Sequence, residues 1–591
     1  MRTADQVLSI IHERGQRGLP LERVYRLLFN PALYLKAYGK IYRNNGALTP
    51  GSTEETVDGM SMSKIEALIE ALRYERYHWT PARRISIEKR HSKKKRPLGL
   101  PSWSNKLLQE VMRLILSAYY EPQFSPSSHG FRPGRGCHTA LWEIYHKWVG
   151  TKWMVEGDIA QCFDALDHSV LLSILSENIH DGRFLRLIEG LLKAGYLEEW
   201  RSHATYSGSP QGGILSPLLA NIYLDKLDKF VETTLAPART RGERRRVNPP
   251  YGALQRCASD LRKTGKREEA EILRQQMQRL PSLDPTDPGY RRMRYLRYAD
   301  DWLIGFSGAR EEAEEIKQQV GAFLKERLHL TLSEEKTLMT HARSDPAKFL
   351  GYHIVVLNNN HKHDWRGHRS INGQIGLQVP PQVIRAKSQQ FRRHGKPVAR
   401  KERTEDTPYS IITQYHQEYR GLAEYYQLAV NRYQLNRLKW VMERSLVATL
   451  AEKLRISVSQ VYDRYQTTME TPDGPRKVLQ ATVEREGKRL LIARWGGVSL
   501  ARNTKAILTD TIAQLWGERS ELEKRLLADT CELCGSHQQV EVHHVRALKD
   551  LQPKGQRERP RWMSMMAARR RKTLLVCRPC HDDVHAGRVS G

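Results

Sequence analysis

Apolar positions recur at helical spacing up to about Tyr77 and are interrupted by Asn44-Asn45-Gly46 and Thr49-Pro50-Gly51, so this stretch is expected to be helices joined by polar turns. The pattern changes at Trp79. Ile85 and Ile87 alternate with polar neighbours, the basic run Arg90-His91-Ser92-Lys93-Lys94-Lys95-Arg96 follows, and Pro97-Leu98-Gly99-Leu100-Pro101 closes a hairpin-like arrangement bearing cations. Leu107, Val111, Leu114 and Ile115 then predict a helix over 105–120. A strand is expected over 153–159, running into Asp158, and residues 294–306 read as two strand-like arms around Ala299-Asp300-Asp301. Between them lie helices and a charged insert, 236–288, with Arg244-Arg245-Arg246 near its start and Pro281, Pro285 and Pro288 at its exit. Such an insert reads as a surface excursion rather than core.

Beyond a charged linker at 400–407, Tyr415, Tyr419, Leu422, Tyr426, Ala429 and Tyr433 fall at alternating spacings of four and three, which predicts one continuous apolar-aromatic stripe. Arg420, Arg432, Arg437 and Lys439 lie off that stripe. Residues 478–495 read as a hairpin turning at Glu486-Gly487, and a small cysteine- and histidine-rich module begins at Thr530.

The chain has 591 residues, enough for three to five domains at roughly 100–200 residues each. It carries 96 Lys and Arg against 66 Asp and Glu, a formal charge of +30. Neutralising phosphates releases condensed counterions, so a surplus of this size points to a nucleic acid partner over an acidic membrane surface. No run approaches the roughly 18 apolar residues of a membrane-spanning helix, and no amphipathic anchor stands out. The apolar run at 7–11 is too short and too flanked by charge for a secretory signal, so an intracellular protein is expected. Of seven cysteines, Cys137, Cys162 and Cys257 are scattered and four form two C-x-x-C pairs, which suggests metal ligation rather than a disulfide framework.

Two-metal phosphoryl transfer needs carboxylates gathered from separate elements around ions roughly 3.5–4 Å apart. Carboxylate oxygens suit Mg2+. Adjacent strand residues normally point to opposite faces. An Asp-Asp pair at a hairpin tip escapes that rule, and Tyr298-Ala299-Asp300-Asp301 fits such a tip. Asp158 closes its strand within Glu156-Gly157-Asp158-Ile159-Ala160-Gln161-Cys162-Phe163-Asp164, with Phe163 a turn beyond. Gly208-Ser209-Pro210-Gln211-Gly212-Gly213 opens an apolar helix, and amides at such a start can approach a nucleotide closely.

These three blocks, in this order, resemble the palm motifs of reverse transcriptases. The whole run is similar to the reverse transcriptase/maturase proteins encoded within group II introns. Ser127-Ser128-His129-Gly130-Phe131-Arg132-Pro133-Gly134-Arg135, Leu332-Ser333-Glu334-Glu335-Lys336-Thr337 and Phe349-Leu350-Gly351-Tyr352 agree with it. The resemblance implies an α+β multidomain chain: a right-hand polymerase with fingers, an antiparallel palm sheet and a helical thumb. It makes Asp158 and Asp300 the main ligands of two Mg2+ ions, with Asp301 supporting them. Phe163 would lie under the sugar of the incoming dNTP and exclude a 2′-hydroxyl. Gln211 would border the nucleotide pocket, Lys89 and Arg96 would meet the triphosphate, and Lys336 would donate a proton to pyrophosphate. Residues 349–352 would hold the primer end. Ser209 stands where the family usually has Thr or Val, and Ile87-Glu88-Lys89 replaces the usual Ile-Pro-Lys.

In the last module Cys531, Cys534, Cys577 and Cys580 can close a tetrahedral structural zinc site. His581 and His585 are one helical turn apart and face the same way, as co-ligands of one metal do. The module resembles a His-Asn-His (HNH) nuclease with a ββα-metal fold stapled by zinc. That resemblance makes His544 the general base, titrating near neutrality, and gives His543, His581 and His585 one divalent ion. The family's central Asn is replaced, with Lys572 or Thr573 in its region. A zinc ribbon that only binds DNA is the competing reading.

The expected domains are an RNA-binding N-terminal extension (1–78), reverse transcriptase fingers and palm (79–380), a thumb or maturase domain (381–470), a DNA-binding region (471–528) and an HNH endonuclease (529–591). What the resemblance implies is a cycle of splicing assistance, insertion of the intron into target DNA, cleavage of the opposite strand and cDNA synthesis from the freed 3′-hydroxyl. It implies intron RNA, target DNA and dNTPs as partners, and residence in a bacterial cytoplasm, at the nucleoid when on DNA. An RNA-binding splicing cofactor alone, or a reverse transcriptase of another system such as defence, are the alternatives.

Overall fold

Four antiparallel strands carry the acidic motifs, in the order Arg292–Tyr298, Asp301–Ser307, Trp153–Asp158, Met339–His341. The two arms expected around Ala299-Asp300 are the first two of these. Gly157 is required where it stands, because a Cβ there would lie 2.0 Å from the Trp302 ring on the facing strand. The structure is a computed structural model. It describes all residues except 1, 45, 89–94, 199–200, 204–212, 366–368, 472–473, 485–489, 509–520, 547–550, 552–559, 570 and 588–591. Mixed helices and strands in several units agree with the α+β class expected from the pattern.

The cationic hairpin forms from Ala82–Glu88 and Lys95–Leu100, and Tyr196–Glu198 and Arg201–His203 extend its sheet. The helix expected at 105–120 is Trp103–Tyr120, begun by Ser102, whose hydroxyl accepts from the Asn105 amide. It is buried nearly all round and joins the N-terminal helices Ala4–Gln16, Pro31–Ile41 and Met62–Arg73 in one core. The insert folds as two helices, Pro249–Lys263 and Arg267–Arg279, each burying one alanine (Ala258 and Ala270). Asp284 holds Arg246 at 2.8 Å where the insert returns. It is a surface excursion, as its composition suggests.

The aromatic stripe is not continuous. The Pro408–Tyr425 helix buries Ile411, Ile412, Tyr415, Tyr419 and Ala423, then ends, and Tyr433 is 65% exposed beyond it. Arg432, one of the cations off that stripe, is buried. Its guanidinium donates to the Ala423 carbonyl at 2.8 Å, supplying a partner to one of the unsatisfied carbonyls of the helix end. Arg420 and Arg437 are exposed. The Leu435–Leu454 and Val458–Tyr465 helices follow.

A sheet of Gln466–Thr471, Gly474–Val483 and Leu491–Trp495 then packs back, with Trp495 against the Tyr415 and Tyr419 rings. The hairpin expected at 478–495 is present, although its turn at Glu486-Gly487 lies outside the described residues. The first pairing, Gln466↔Leu479 to Thr471↔Gly474, runs across the boundary expected between 470 and 471.

The C-terminal module pairs Val540–His544 with Thr573–Cys577 and continues into the helix Arg578–His585. Its other strand neighbour comes from far away: Met60–Ser61 adds to Val540–His544 in antiparallel register, Met60 opposite Val542. The Glu521–Ala528 helix, numbered with the preceding region, also belongs here, since Arg525 donates to the Thr573 hydroxyl at 3.2 Å. No described helix is long and apolar enough to cross a membrane.

Candidate active sites

Asp158 is the last residue of its strand and stands directly opposite Asp301 in register, and Asp301 in turn pairs with Tyr298 across the two-residue turn Ala299-Asp300. Ala299 adopts φ +57, a left-handed conformation that tightens this turn. The three carboxylates are thus brought together by one sheet. Burial, then the charges of Asp300 and Asp158, push the Asp301 carboxyl up to about 7. Crowded anions of this kind are the donor set a divalent cation relieves, so the residues fit the Mg2+ expected of them.

Lys336 reaches the same place. The 332–337 block docks on the strand end through Ser333 N–H to the Asp158 carbonyl (2.9 Å), and the Lys336 ammonium lies 2.7 Å from Asp158 Oδ2. Hydrogen bonding to Asp158 holds that ammonium above the usual lysine range. Phe163 sits half-buried in the short helix Cys162–Ala165 that follows Asp158, entered through Gln161 at φ +49. Lys89 and Gln211 lie outside the described residues; Arg96 is in the Lys95–Leu100 strand opposite Ile87.

One residue that motif reading missed is Arg297, immediately before Tyr298. It is fully buried, and its five N–H groups are all used: two on the Asp228 carboxylate, one each on Asn221 Oδ1, the Ala299 carbonyl and Ser128 Oγ. Asn221 and Asp228 are seven apart on the Ser216–Phe230 helix, hence on one face. A charged residue at an inward-facing strand position was the available signal. The Ser127–Arg135 block packs beside the turn, with Ser128 bridged to Arg297 and the Gly130 α-carbon so close that a Cβ would come 2.3 Å from Ala299 N.

The Phe349-Leu350-Gly351-Tyr352 block is a hairpin whose turn residues have φ +46 and +71, the geometry of a two-residue primed turn. Tyr425 and Tyr426 clamp it, donating to the Leu350 (2.6 Å) and Gly351 (2.9 Å) carbonyls.

In the last module the four cysteine sulfurs lie within 4.8 Å of one another. Burial opposes ionisation of Cys531, but amide donors from Cys534 and Cys577 outweigh it and bring the thiol down to about 7. The set fits a tetrahedral metal site. Beside it, donor atoms of His543, His581, His585 and Asp58 also lie within 4.8 Å of one another. His581 and His585 Nε2 are 3.1 Å apart, and His585 Nε2 is 2.9 Å from Asp58 Oδ2. Glu541 takes the other His581 nitrogen at 2.7 Å, the arrangement that orients a ligand imidazole.

Asp58 carries no local sequence signal. It arrives on the turn before Met60–Ser61, 486 residues from His544, and accepts the His544 amide at 2.7 Å. His544 departs from expectation. It is 8% exposed, its Nε2 is 2.6 Å from the Tyr38 hydroxyl, and burial pushes its imidazole down to about 3 rather than leaving it near neutrality. Thr573 lies opposite His544 in the sheet, with Lys572 just before it.

Comparison with known families identifies three segments. Residues 87–354 match a reverse transcriptase (RNA-dependent DNA polymerase), residues 381–487 a type II intron maturase, and residues 531–581 an AI2M/AI1M-like HNH endonuclease. The molecule is therefore an RNA-directed DNA polymerase joined to a maturase and an HNH nuclease. Over 613 aligned residues it is 39% identical to the group II intron-encoded protein LtrA of Lactococcus lactis subsp. cremoris, covering 99% of each chain. It is 33% identical to an uncharacterized 91 kDa protein in the cob intron of Schizosaccharomyces pombe, covering 95% of this chain and 69% of that one. A putative COX1/OXI3 intron 1 protein of Saccharomyces cerevisiae is 29% identical over 95% of this chain and 68% of its own. The chain belongs to the group II intron-encoded reverse transcriptase/maturase family.

Proposed function

We propose that the protein binds the intron RNA that encodes it, assists its splicing, and copies it into DNA at a target site whose second strand its own nuclease cuts. In this reading the four-stranded sheet is the palm, the Ala82–Glu88 hairpin and the helix after it are the fingers, and the helices from Pro408 to Tyr465 are the thumb. Asp158, Asp300 and Asp301 hold two Mg2+ ions, which when bound neutralise charge at the attacking hydroxyl and the departing pyrophosphate. Lys336 protonates pyrophosphate, its ammonium already held at this site by Asp158. Phe163 stands under the dNTP sugar, Gln211 borders the pocket, and Lys89 and Arg96 neutralise the triphosphate. The 349–352 turn holds the primer end.

The four cysteines bind Zn2+ as a structural staple, and His543, His581 and His585 bind one divalent cation. His544 takes the proton from the attacking water. Intron RNA is held by the basic surface implied by a charge of +30, and target DNA by the region after residue 470. The work is done in the cytoplasm, at the nucleoid when DNA is engaged.

The observation that carries this reading is the register setting Asp158 opposite Asp301 beside Asp300. Asp300→Ala is expected to abolish primer extension on an RNA template while leaving RNA binding intact; wild-type extension by that variant removes the assignment. His544→Ala is expected to lose DNA cleavage and keep polymerisation. RNA binding without polymerisation is the weaker reading, because the full carboxylate set is present.

A further inference from the structure

The nuclease centre is closed by parts of the chain that do not belong to it. Three imidazoles on the Val540–His544 strand and the Arg578–His585 helix form the cluster, and the fourth donor is an anionic oxygen of Asp58, from the N-terminal region. A catalytic divalent site keeps a coordination position open for water or substrate. In a DNA nuclease the group entering it is a phosphodiester oxygen, also anionic. Asp58 Oδ2 sits 2.9 Å from His585 and 3.5 Å from His581, as the fourth donor of the group.

The same loop does more than reach the cluster. Asp58 Oδ1 accepts the His544 amide, Gly59 donates to the Val542 carbonyl at 2.9 Å, and Met60–Ser61 extends the nuclease sheet by an edge strand. Gly59 turns at φ +69, which brings this tip into the site, where a Cβ on it would meet Glu541 and Lys64 at 3.4 Å and His581 at 4.0 Å. The neighbouring helix contributes Tyr38, whose hydroxyl is hydrogen-bonded to His544 Nε2, with the Tyr38 and Tyr42 rings both against the imidazole. His543, His544 and His581 are all buried by these contacts and their surroundings. His585 keeps 56% of its side chain exposed, so the inner imidazoles are covered while the outer one stays open.

We propose that the loop bearing Asp58 is a latch on the nuclease, its carboxylate occupying the seat of the scissile phosphodiester and Tyr38 engaging the base, and that duplex DNA displaces it. The proposal rests on the assignment of the His543/His581/His585 cluster as the nuclease centre. Its physical basis is an exchange of like for like: one anion leaves the imidazole ring as another enters, and a two-residue strand pairing is short enough to be given up. A divalent-ion nuclease carried beside a polymerase on a cationic protein is thereby kept from nicking whatever nucleic acid it meets, and cuts once its DNA is seated.

The test uses the full-length protein. Without added metal, amide hydrogen exchange at Met60–Ser61 and Val540–His544 is expected to be slow, to accelerate when a duplex containing the target site is added, and to be fast without DNA in Asp58→Ala. With Mg2+, Asp58→Ala is expected to nick supercoiled plasmid at least about tenfold faster than the wild type, because more of it is in the competent state. Tyr38→Phe, which keeps the ring and its packing, is expected to move both readouts the same way by less. Exchange unaltered by duplex DNA, or slower nicking by Asp58→Ala, overturns the latch. Nicking that persists in the Asp58→Ala/His585→Ala double variant instead removes the nuclease assignment, so the two failures are distinguishable.

Discussion

Arg297 and Asp228 form a two-pronged ion pair, Nε to Oδ1 at 2.8 Å and Nη2 to Oδ2 at 2.6 Å, with no solvent exposure of either side chain. The pair ties the strand that delivers Asp300 to the Ser216–Phe230 helix, and one of the remaining guanidinium donors reaches the Ala299 carbonyl inside the Ala299-Asp300 turn. Arg297 thereby positions the turn that carries Asp300.

Asp228→Asn removes the charge that balances a wholly buried guanidinium. Loss of one partner of a buried pair costs about 3–5 kcal/mol, so a marked fall in melting temperature is expected together with loss of primer extension. A positioning role further predicts that kcat falls more than KM for dNTP rises, measured below the melting transition. Unchanged kcat in a folded Asp228→Asn protein would dissociate the pair from the turn.

Gly130→Ala places a methyl 2.3 Å from Ala299 N, against backbone. The turn must shift, so single-turnover nucleotide addition is expected to slow while nuclease cleavage stays at the wild-type rate. Equal loss of both would indicate general misfolding.

Phe163→Val shortens the side chain that follows Asp158. Primer extension with ribonucleotides, scored as the ratio of kcat/KM for dNTP and rNTP, is expected to lose discrimination by at least about tenfold. An unaltered ratio would leave Phe163 a packing role only.

Removing metal from the cysteine cluster with a chelator should deprotect the Thr573–Cys577 strand to amide exchange, because Cys577 is both its last residue and the N-cap of the Arg578–His585 helix. DNA cleavage is expected to be lost with it. Primer extension should survive, since among the described residues the carboxylate sheet shares no strand with this module.

The acidic motifs, the cationic hairpin, the long Trp103–Tyr120 helix and the cysteine pairs were legible because each is written locally, in spacing or turn chemistry. The stripe beyond Tyr425 was not. No glycine or proline marks that helix end; it is set by tertiary contacts, with the Tyr425 and Tyr426 hydroxyls docked on the 350–351 turn. The burial of Arg432 was illegible for a related reason, since a cation buried on helix-end carbonyls looks in sequence like one facing solvent. Asp58 and Tyr38 were invisible for want of any local pattern, their meaning arising only when chain segments some 500 residues apart meet.

The seating of Trp495 on Tyr415 and Tyr419 bears on how the polypeptide is made. Those tyrosines leave the ribosome well before their covering strand, and at roughly 5–20 residues per second the aromatic face stays bare for several seconds. Nascent chains stalled in that interval should be the ones chaperones hold most avidly, and a gene split just before Leu491 should yield an insoluble first half.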